Sequence, residues 1–386
     1  MTITAPEQGH RIRDRIPLPS PALQVEGRAS RSDRYAVHIT RSPEETLERL
    51  APLVHGRGVA IITDEVVESL FAPRLIGGLR ALGCDVLVHA VPAGEASKSL
   101  EQAIRLWGRL ARSTLAWRDV VVALGGGVIA DLGGWVASAY MRGIPYVNVP
   151  TTLLAQVDGA LGGKVAVNHP VAKNLLGAFH QPVAVISDVS CLRSLERRHV
   201  AAGLAECIKK AVIASPDYWC LIRRDAAPIL AGDEGARERL VRGASAIKTV
   251  LIERDPYEAD LRRPLNFGHT IGHPLETVTG YGPMLHGEAV AFGMVAESRV
   301  AAGRGLLPAA LLEELIELLR GCGLPTCGAD LPVPVAADDI VAAMEKIRLI
   351  RAGSLRYVLP AAIGETVIAD DVGEEETRRA LAACGL

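Results

Sequence analysis

The hydrophobic pattern in the first half of the chain alternates between short apolar runs and longer amphipathic stretches. Residues 58–64 (GVAIITD), 85–92 (DVLVHAVP) and 119–127 (DVVVALGGG) are rich in β-branched residues and predict buried strands. Amphipathic sequences at 66–83 and from Ser97 to about Ser113 follow the first two strands and predict helices. Alternation of this kind predicts a parallel sheet covered by helices.

The pattern changes near residue 190. From about residue 200 onward, long amphipathic segments such as GLAECIKKAVI and ALLEELIELLRG predict helices. We therefore expect an α/β plus α fold, with an α/β nucleotide-binding domain over residues 36–190 and a helical domain over 191–386. Residues 1–35 are polar, Arg-rich and dotted with proline, which predicts a loose N-terminal extension.

The composition limits the classes to which this protein can belong. Its 386 residues are 49% hydrophobic and 22% charged, which suits two domains with a core each. The formal net charge of −2 argues against a nucleic-acid partner, which usually requires a basic face. No apolar run is as long as a membrane span, and the N-terminus lacks a secretory signal. With seven scattered cysteines interpreted as reduced thiols, these features predict a cytoplasmic protein without a membrane partner.

Glycines and hydroxyl side chains follow the predicted strands. The segment LGGGVIADLGGW places Gly126 and Gly127 between a strand and a helix, where backbone N–H groups and the helix dipole can bind phosphate. This is not the GxGxxG fingerprint, so the pattern alone supports a Rossmann fold only weakly. PTTLLAQVD adds hydroxyls, and GEASKS (94–99) adds an acid and a lysine. Each segment alone can be a turn or a helix cap, but together they favour a dinucleotide site.

Long polar side chains are dense among small residues between positions 142 and 180. Cationic and amide side chains beside glycine turns are typical of a site for an anionic, polyhydroxylated ligand. A charged surface loop is the less favoured alternative. The residues concerned are Arg142, Asp158, Lys164, Asn168, His169, Lys173, Asn174 and His180.

The second half contains candidate metal ligands. NFGHTIGH places His269 and His273 on one face of a helix, and His286 follows in LHGE. Glu206 lies in GLAECIKK, with Lys209 one turn later. One acid with two or three histidines can bind Zn²⁺ and leave a position open for substrate. The spacing alone does not identify which histidines are the ligands.

These motifs together resemble the dehydroquinate synthase superfamily of sugar-phosphate cyclases. The resemblance is carried by LGGGVIADLGGWVASAYMRG, VPTTLLAQVDGALGGKVAVNHPVAKNLLGAFHQP, GLAECIKK and LNFGHTIGH, and it extends from about residue 58 to 368. It implies an N-terminal Rossmann-like parallel-sheet domain, a C-terminal helical domain and a homodimer with its active site between the domains. The implied cofactors are NAD and a divalent metal, Zn or Co, and the implied substrate is a small sugar phosphate.

The resemblance also implies roles for individual residues. The metal ligands would be Glu206, His269 and His286. The residues that would hold the sugar phosphate are Lys164, Asp158, Lys209, Lys248, Arg262, Asn266, His273, Asn174 and Arg142 of the partner subunit. The residues that would contact NAD are Asp64, Glu95, Lys98, Gly126, Gly127, Asp131, Thr151, Thr152, Lys164, Lys173 and Ser194.

The chemistry that the resemblance implies uses NAD without consuming it. A secondary alcohol is oxidised, phosphate is eliminated with help from the metal, and the ketone is reduced again. Ring opening and an aldol addition then close a carbocycle, which makes the enzyme a carbon–oxygen lyase.

Individual positions divide between members of the superfamily. Lys248 and Arg262 lie where dehydroquinate synthases bind a substrate carboxylate. The positions that depart from those enzymes are Ala130, LERRH (195–199), Asp260, Pro274 and EKIRLIRAG, which has Arg348 in place of a lysine. Since LERRH and Asp260 resemble C7-cyclitol synthases, we expect conversion of sedoheptulose 7-phosphate to a valiolone-type C7-cyclitol, as in 2-epi-valiolone synthases.

Other activities stay open on the sequence alone. A 3-dehydroquinate synthase acting on 3-deoxy-arabino-heptulosonate 7-phosphate is supported by Arg262, and an aminodehydroquinate synthase comes next. A metal-dependent, glycerol-type NAD alcohol dehydrogenase would share the two-domain layout but accumulate NADH. A non-catalytic relative would be expected to lack one of four residues that are all present, namely Lys164, Glu206, His269 and His286.

Overall fold

A computed structural model describes most of the chain, and residues 34–386 form one compact unit. The described residues are 33–169, 172–257, 263–280, 282–350 and 355–386, without the side chains of residues 347, 349 and 350. Nearly all of the predicted N-terminal extension lies outside them, as do Asp260 and Arg262.

A parallel sheet forms the centre of the first half. The strands are β1 (Ala36–Thr40), β2 (Gly58–Asp64), β3 (Asp85–Val91), β4 (Val120–Gly125), β5 (Tyr146–Pro150), β6 (Lys164–His169), β7 (Ala172–Phe179) and β8 (Ala184–Asp188). Within the described residues, β6 and β7 pair as an antiparallel hairpin, and the other six form a sheet in the order β1-β8-β5-β4-β2-β3. Each pairing in that sheet is parallel, so the carboxyl ends of its strands lie at one edge.

Helices cover both faces of this sheet. They are α1 (Pro43–Val54), α2 (Glu65–Ala81), α3 (Leu100–Arg112) and α4 (Gly127–Ala139). Ile61 and Val122 pack on the face covered by α1 and α2, whereas Ile62 and Ala123 pack against α3 and α4. Because both faces are buried, the strands read as continuous apolar runs rather than alternating ones.

Helices dominate the second half. They are α5 (Arg197–Ala214), α6 (Pro216–Ala231), α7 (Glu234–Arg254), α8 (His269–Val278), α9 (His286–Gly303), α10 (Ala309–Gly321), α11 (Ala337–Ile350) and α12 (Glu374–Ala383). A two-stranded antiparallel sheet of β9 (Tyr357–Ala362) and β10 (Glu365–Ala369) packs with them. Among the described residues, no helix has both the length and the hydrophobicity needed to cross a lipid bilayer.

The predicted fold class is confirmed, and the differences from the sequence pattern are local. The helix expected from Ser97 begins at Leu100, because Ser99 Oγ accepts a hydrogen bond from Gln102 N (3.2 Å) and caps it. The pattern did not predict either antiparallel hairpin, since polar side chains interrupt the β6–β7 sequence. The division into domains at residues 190 and 191 stays a prediction.

Candidate active site

The carboxyl edge of the sheet presents backbone and hydroxyl groups suited to a phosphate. Gly126 is the N-cap of α4, and as a glycine it has no side chain to cap the N–H groups of the first turn. A Cβ atom built on Gly127 would meet no atom within 4 Å, so space is open in front of the helix N-terminus. Thr151, after β5, has a buried Oγ1 without a hydrogen-bond partner in the described part of the chain. This edge therefore fits the pyrophosphate of NAD.

Several of the predicted NAD-binding residues lie together beside this edge. Lys98, which is buried, forms an ion pair with Asp131 of α4. Asn168 Nδ2 in β6 donates to Glu95 Oε1 (2.7 Å), and Lys173 Nζ in β7 lies 3.9 Å from the same oxygen. Burial raises the pKa of Asp131, and the charge of Lys98 opposes that shift. The β6–β7 hairpin thereby contacts the loop that carries Glu95.

Three other residues with predicted NAD contacts also have local structural roles. Asp64 Oδ1 accepts hydrogen bonds from two backbone N–H groups (3.1 and 3.0 Å) and caps α2. Thr152 Oγ1 accepts one from a backbone N–H three residues later (3.3 Å). Ser194 Oγ donates to a backbone carbonyl three residues earlier (3.1 Å). Their contacts with NAD stay predictions.

Glu206 of α5, His269 of α8 and His286 of α9 converge. One ligand atom from each lies within 4.8 Å of the other two. Glu206 Oε1 is 3.7 Å from Nε2 of both histidines. Lys209 Nζ forms an ion pair with Glu206 Oε2 (2.5 Å), yet neither buried carboxylate oxygen has a partner with hydrogen-bond geometry in the described chain. A buried carboxylate facing two imidazole nitrogens fits a tetrahedral metal with one position left for a ligand.

The charges around these ligands set their protonation states. Burial raises the pKa of Glu206, but the charge of Lys209 and the nearby imidazole of His286 together hold it well below its usual value. Burial and Lys209 lower the pKa of His269, which keeps its imidazole in the neutral form that binds metals. Burial lowers the pKa of His286, but Glu206 and Glu276 outweigh this and raise it to about 10. The carboxylates that stabilise a proton on this ring would equally stabilise a metal ion.

Glu297 of α9 and a backbone carbonyl orient His269. Glu297 accepts hydrogen bonds from Gly268 N and Thr270 N, both at 2.9 Å, at the start of α8. Burial raises the pKa of Glu297 to about 8, and these backbone donors oppose the shift. His269 Nδ1 is 3.0 Å from Phe267 O, so Nδ1 carries the proton and Nε2 keeps its lone pair. Sequence reasoning missed Glu297, because nothing local in the sequence marks its partners.

Glu276 of α8 lies behind His286 on the side away from Glu206. Its Oε2 is 3.1 Å from His286 Nδ1, and its Oε1 is 3.7 Å from Lys173 Nζ. A carboxylate in this position makes Nδ1 the donor and leaves Nε2 to bind a metal. Sequence reasoning missed Glu276, although its position three residues after His273 on a predicted helix was a usable signal.

We expect Glu276→Gln to weaken zinc affinity by about 10–100-fold, the usual loss when the outer partner of a ligand histidine is changed. Glutamine keeps the size of the side chain but removes the negative charge beside the ring. Chelator competition measures the affinity, and Glu313→Gln, at an exposed position of α10, is the matched control. Equal zinc affinity in the two variants would contradict this role of Glu276.

Asp158 lies beside the metal ligands within a group of lysines. Lys210 Nζ is 2.6 Å from its Oδ1, and Lys248 Nζ is 3.0 Å from the same oxygen and 2.7 Å from the Asp158 carbonyl. Burial raises the pKa of Asp158, but these ammonium groups hold it far below its usual value. Burial lowers the pKa of Lys248 to about 8. The structure thus brings Asp158, Lys209 and Lys248 together, and it adds Lys210, which sequence reasoning passed over beside Lys209.

His273 lies beside the metal ligands, and Asn266 lies just before α8 in the chain. The His273 ring centroid is 4.9 Å from that of His269 and 5.8 Å from that of His286. Asn266 ends the short helical turn that precedes α8. Both residues, predicted to bind phosphate, therefore lie on or next to α8.

Arg142 and Asn174 have backbone conformations that non-glycine residues rarely adopt. Their φ angles are 69° and 55°, in the left-handed region, and such strain is concentrated at functional sites. Lys164 is exposed at the start of β6. Arg348 forms an ion pair with Glu345 on its own helix (2.9 Å). A phosphate contact by Arg348, in place of the usual lysine, stays a prediction.

Comparison with known proteins matches both halves of the chain to one family. A family model described as 3-dehydroquinate synthase N-terminal matches residues 88–202, and 3-dehydroquinate synthase C-terminal matches residues 203–347. The 2-epi-valiolone synthase of Actinosynnema mirum is 54% identical over 97% of this chain and 98% of its own length. The 3-dehydroquinate synthase of Desulforamulus reducens is 43% identical over 83% of this chain and 89% of its own length.

Solved structures agree with this. The 2-epi-5-epi-valiolone synthase of Streptomyces hygroscopicus subsp. jinggangensis 5008, with NAD⁺ and Zn²⁺ bound, matches with a TM-score of 0.86 and 29% identity, covering 93% of this chain and 99% of that one. A 2-deoxy-scyllo-inosose synthase complexed with carbaglucose-6-phosphate, NAD⁺ and Co²⁺ matches with a TM-score of 0.82 and 25% identity, covering 90% and 96%. The expected cofactor classes are thus the ones found in structural relatives. The chain belongs to the 3-dehydroquinate synthase family of sugar-phosphate cyclases.

Proposed function

We propose that this chain converts sedoheptulose 7-phosphate to a valiolone-type C7-cyclitol with elimination of phosphate, as a 2-epi-valiolone synthase does. The observation that carries the choice of sugar is the 54% identity with 2-epi-valiolone synthase over nearly the whole chain. The 3-dehydroquinate synthase compared above reaches 43% over a shorter stretch. The cluster of Glu206, His269 and His286 beside Asp158 supports the reaction class.

Different residues of this site bind the metal and the substrate hydroxyls. When bound, NAD supplies a reversible hydride acceptor and the divalent metal supplies a Lewis acid. Glu206 and the two histidines would hold the metal, with Glu276 fixing the ring of His286. Asp158 and its lysines would bind ring hydroxyls and orient a flexible substrate through several steps.

The phosphate contacts come from residues other than the metal ligands. His273 lies on α8 with His269, Asn266 lies just before that helix, and Asn174 lies on the β6–β7 hairpin. Arg142 is exposed after α4, on a strained turn that fixes its direction. We infer that it reaches the site of a second copy of the chain, which makes the active enzyme a homodimer.

The reaction is tested by incubating the purified protein with NAD⁺, Zn²⁺ or Co²⁺ and each heptulose phosphate separately. We expect phosphate release and a carbocyclic product from sedoheptulose 7-phosphate, without net accumulation of NADH. Turnover of 3-deoxy-arabino-heptulosonate 7-phosphate alone would establish a 3-dehydroquinate synthase instead. Net NADH formation would indicate an alcohol dehydrogenase.

Arg262→Ala gives an independent test of the sugar. An enzyme that reads a substrate carboxylate through this residue should lose about 10–150-fold in kcat/KM, because a hydrogen bond to a charged group contributes about 1.5–3 kcal/mol. Sedoheptulose 7-phosphate has no carboxylate, so we expect a much smaller loss. Arg254→Ala, at an exposed position in the last turn of α7, is the control. A loss of a hundredfold on sedoheptulose 7-phosphate would contradict the proposal.

A further inference from the structure

Lys210 is a buried cation that has so far been considered only together with the other lysines around Asp158. It follows Lys209 in α5, and its side chain is fully buried. Its Nζ lies 2.6 Å from Asp158 Oδ1 and 3.5 Å from Glu206 Oε2. One ammonium group therefore joins the carboxylate predicted to bind a substrate hydroxyl to the carboxylate predicted to bind the metal.

The shortest contacts of two lysines with the Asp158 carboxylate are to the same oxygen. Lys210 from α5 and Lys248 from α7 both contact Oδ1. Each ammonium lies nearest to Oδ1, and the Asp158 side chain is 28% exposed. Ion pairs from two helices to one carboxylate oxygen restrict rotation of the carboxylate. Oδ2 therefore has a fixed direction in which to accept a hydrogen bond from a hydroxyl.

The two oxygens of Glu206 are divided in the same way. Oε1 lies 3.7 Å from Nε2 of each histidine, whereas Oε2 faces Lys209 and Lys210. A fully buried ammonium loses its hydration, and only nearby carboxylates offset that loss. The buried charge of Lys210 is therefore stabilised by the two carboxylates that its Nζ contacts, those of Asp158 and Glu206.

We propose that Lys210 is a positioning residue, which fixes the carboxylate of Asp158 for a substrate hydroxyl and holds it in register with the metal ligand Glu206. The inference rests on the proposed function only in taking the ligand to be a polyhydroxylated sugar phosphate. It does not depend on which heptulose phosphate that is.

The test is a double-mutant cycle of Lys210→Met and Asp158→Asn, in the full chain with NAD⁺ and Zn²⁺ and with whichever heptulose phosphate the wild type turns over. We expect Lys210→Met alone to lower kcat/KM by about 10–100-fold, as for loss of a charged hydrogen-bond partner. In the Asp158→Asn background the same change should cost less than about threefold. Losses that multiply, or a Lys210→Met enzyme within about twofold of wild type, would overturn the proposal.

The zinc affinity of Lys210→Met shows whether Lys210 positions Asp158 or only contributes to packing. Lys210→Met removes a positive charge 3.5 Å from Glu206 Oε2, so the variant should bind zinc at least as tightly as wild type. Weaker zinc binding would indicate a structural role and overturn the proposal. Should Lys210→Met fail to fold, Lys210→Gln takes its place, since its amide keeps a donor near Asp158.

A matched control separates the effect of removing any buried cation from the effect of removing Lys210. Arg237 is buried and donates only to backbone carbonyls in the described structure, those of Ile229 (3.1 Å) and Leu192 (2.5 Å). Arg237→Met should lower thermal stability while its kcat/KM stays within about twofold. If the wild type does not turn over sedoheptulose 7-phosphate, the proposed function fails whatever the cycle shows. If it does and the cycle is multiplicative, only the inference about Lys210 fails.

Discussion

Replacing His269 with alanine is expected to abolish zinc binding and turnover while leaving the fold intact. The ring supplies one of three converging ligand atoms, and removing it leaves two. The loss of affinity should exceed the roughly 10–100-fold that changes in outer partners cause. Since a metal Lewis acid contributes several kcal/mol to such reactions, kcat should fall by about 10³-fold or more. Chelator competition and phosphate release measure the two effects.

His55→Ala is the control for this experiment. His55 is an exposed histidine directly after the last residue of α1, and it is not among the site residues. Its variant should match wild type in zinc affinity and rate. Full activity in His269→Ala would refute the metal assignment, and loss of the native circular dichroism spectrum in that variant would require the test to be repeated with His286→Ala.

Gly287→Ala is expected to disable the same site without touching a ligand atom. A Cβ at Gly287 would lie 1.9 Å from Ala202 O, which is a backbone atom of α5 and cannot rotate away. Helix α9 would have to move from α5, and His286 at its start would move away from Glu206. Overpacking of this kind costs about 1–3 kcal/mol or more, so we expect a lower melting temperature together with weaker zinc binding.

The same helix contains its own control. Gly303 ends α9, is exposed, and would place a Cβ with no atom within 4 Å. Gly303→Ala should be neutral or should stabilise the protein by up to about 1 kcal/mol, because alanine is the better helix former. If Gly287→Ala also left stability and zinc affinity unchanged, the close approach of α5 and α9 would not matter for the site.

The fold could be predicted from the sequence where a strand is buried on both faces. The run at 58–64 became β2 with the same bounds, because a strand with helices on both faces needs an unbroken apolar sequence. The antiparallel hairpins could not be predicted from the sequence pattern. In the β6–β7 hairpin, where Lys164 lies opposite Phe179, β7 is mostly exposed and lacks the continuous apolar run of a buried strand.

The residues of the candidate site could be predicted where a short motif contains several of them. NFGHTIGH and GLAECIKK carry ligand-type side chains at helical spacing, so Glu206, His269 and Lys209 could be named in advance. Glu276, Glu297 and Lys210 were missed, because their importance lies in what faces them across helix contacts.

The sequence by itself predicted a metal site and a dinucleotide site, through residues that chemistry requires: an acid and histidines for a metal, and glycines at a strand end for a dinucleotide. Its resemblance to the sugar-phosphate cyclases implied the reaction class. Only the tertiary structure decided how those groups are held. Glu206 and His286 are eighty residues apart in the chain, and their ligand atoms meet because Gly287 lets α9 approach the backbone of α5. Contacts of that kind depend on the packing of distant elements, which local periodicity does not encode.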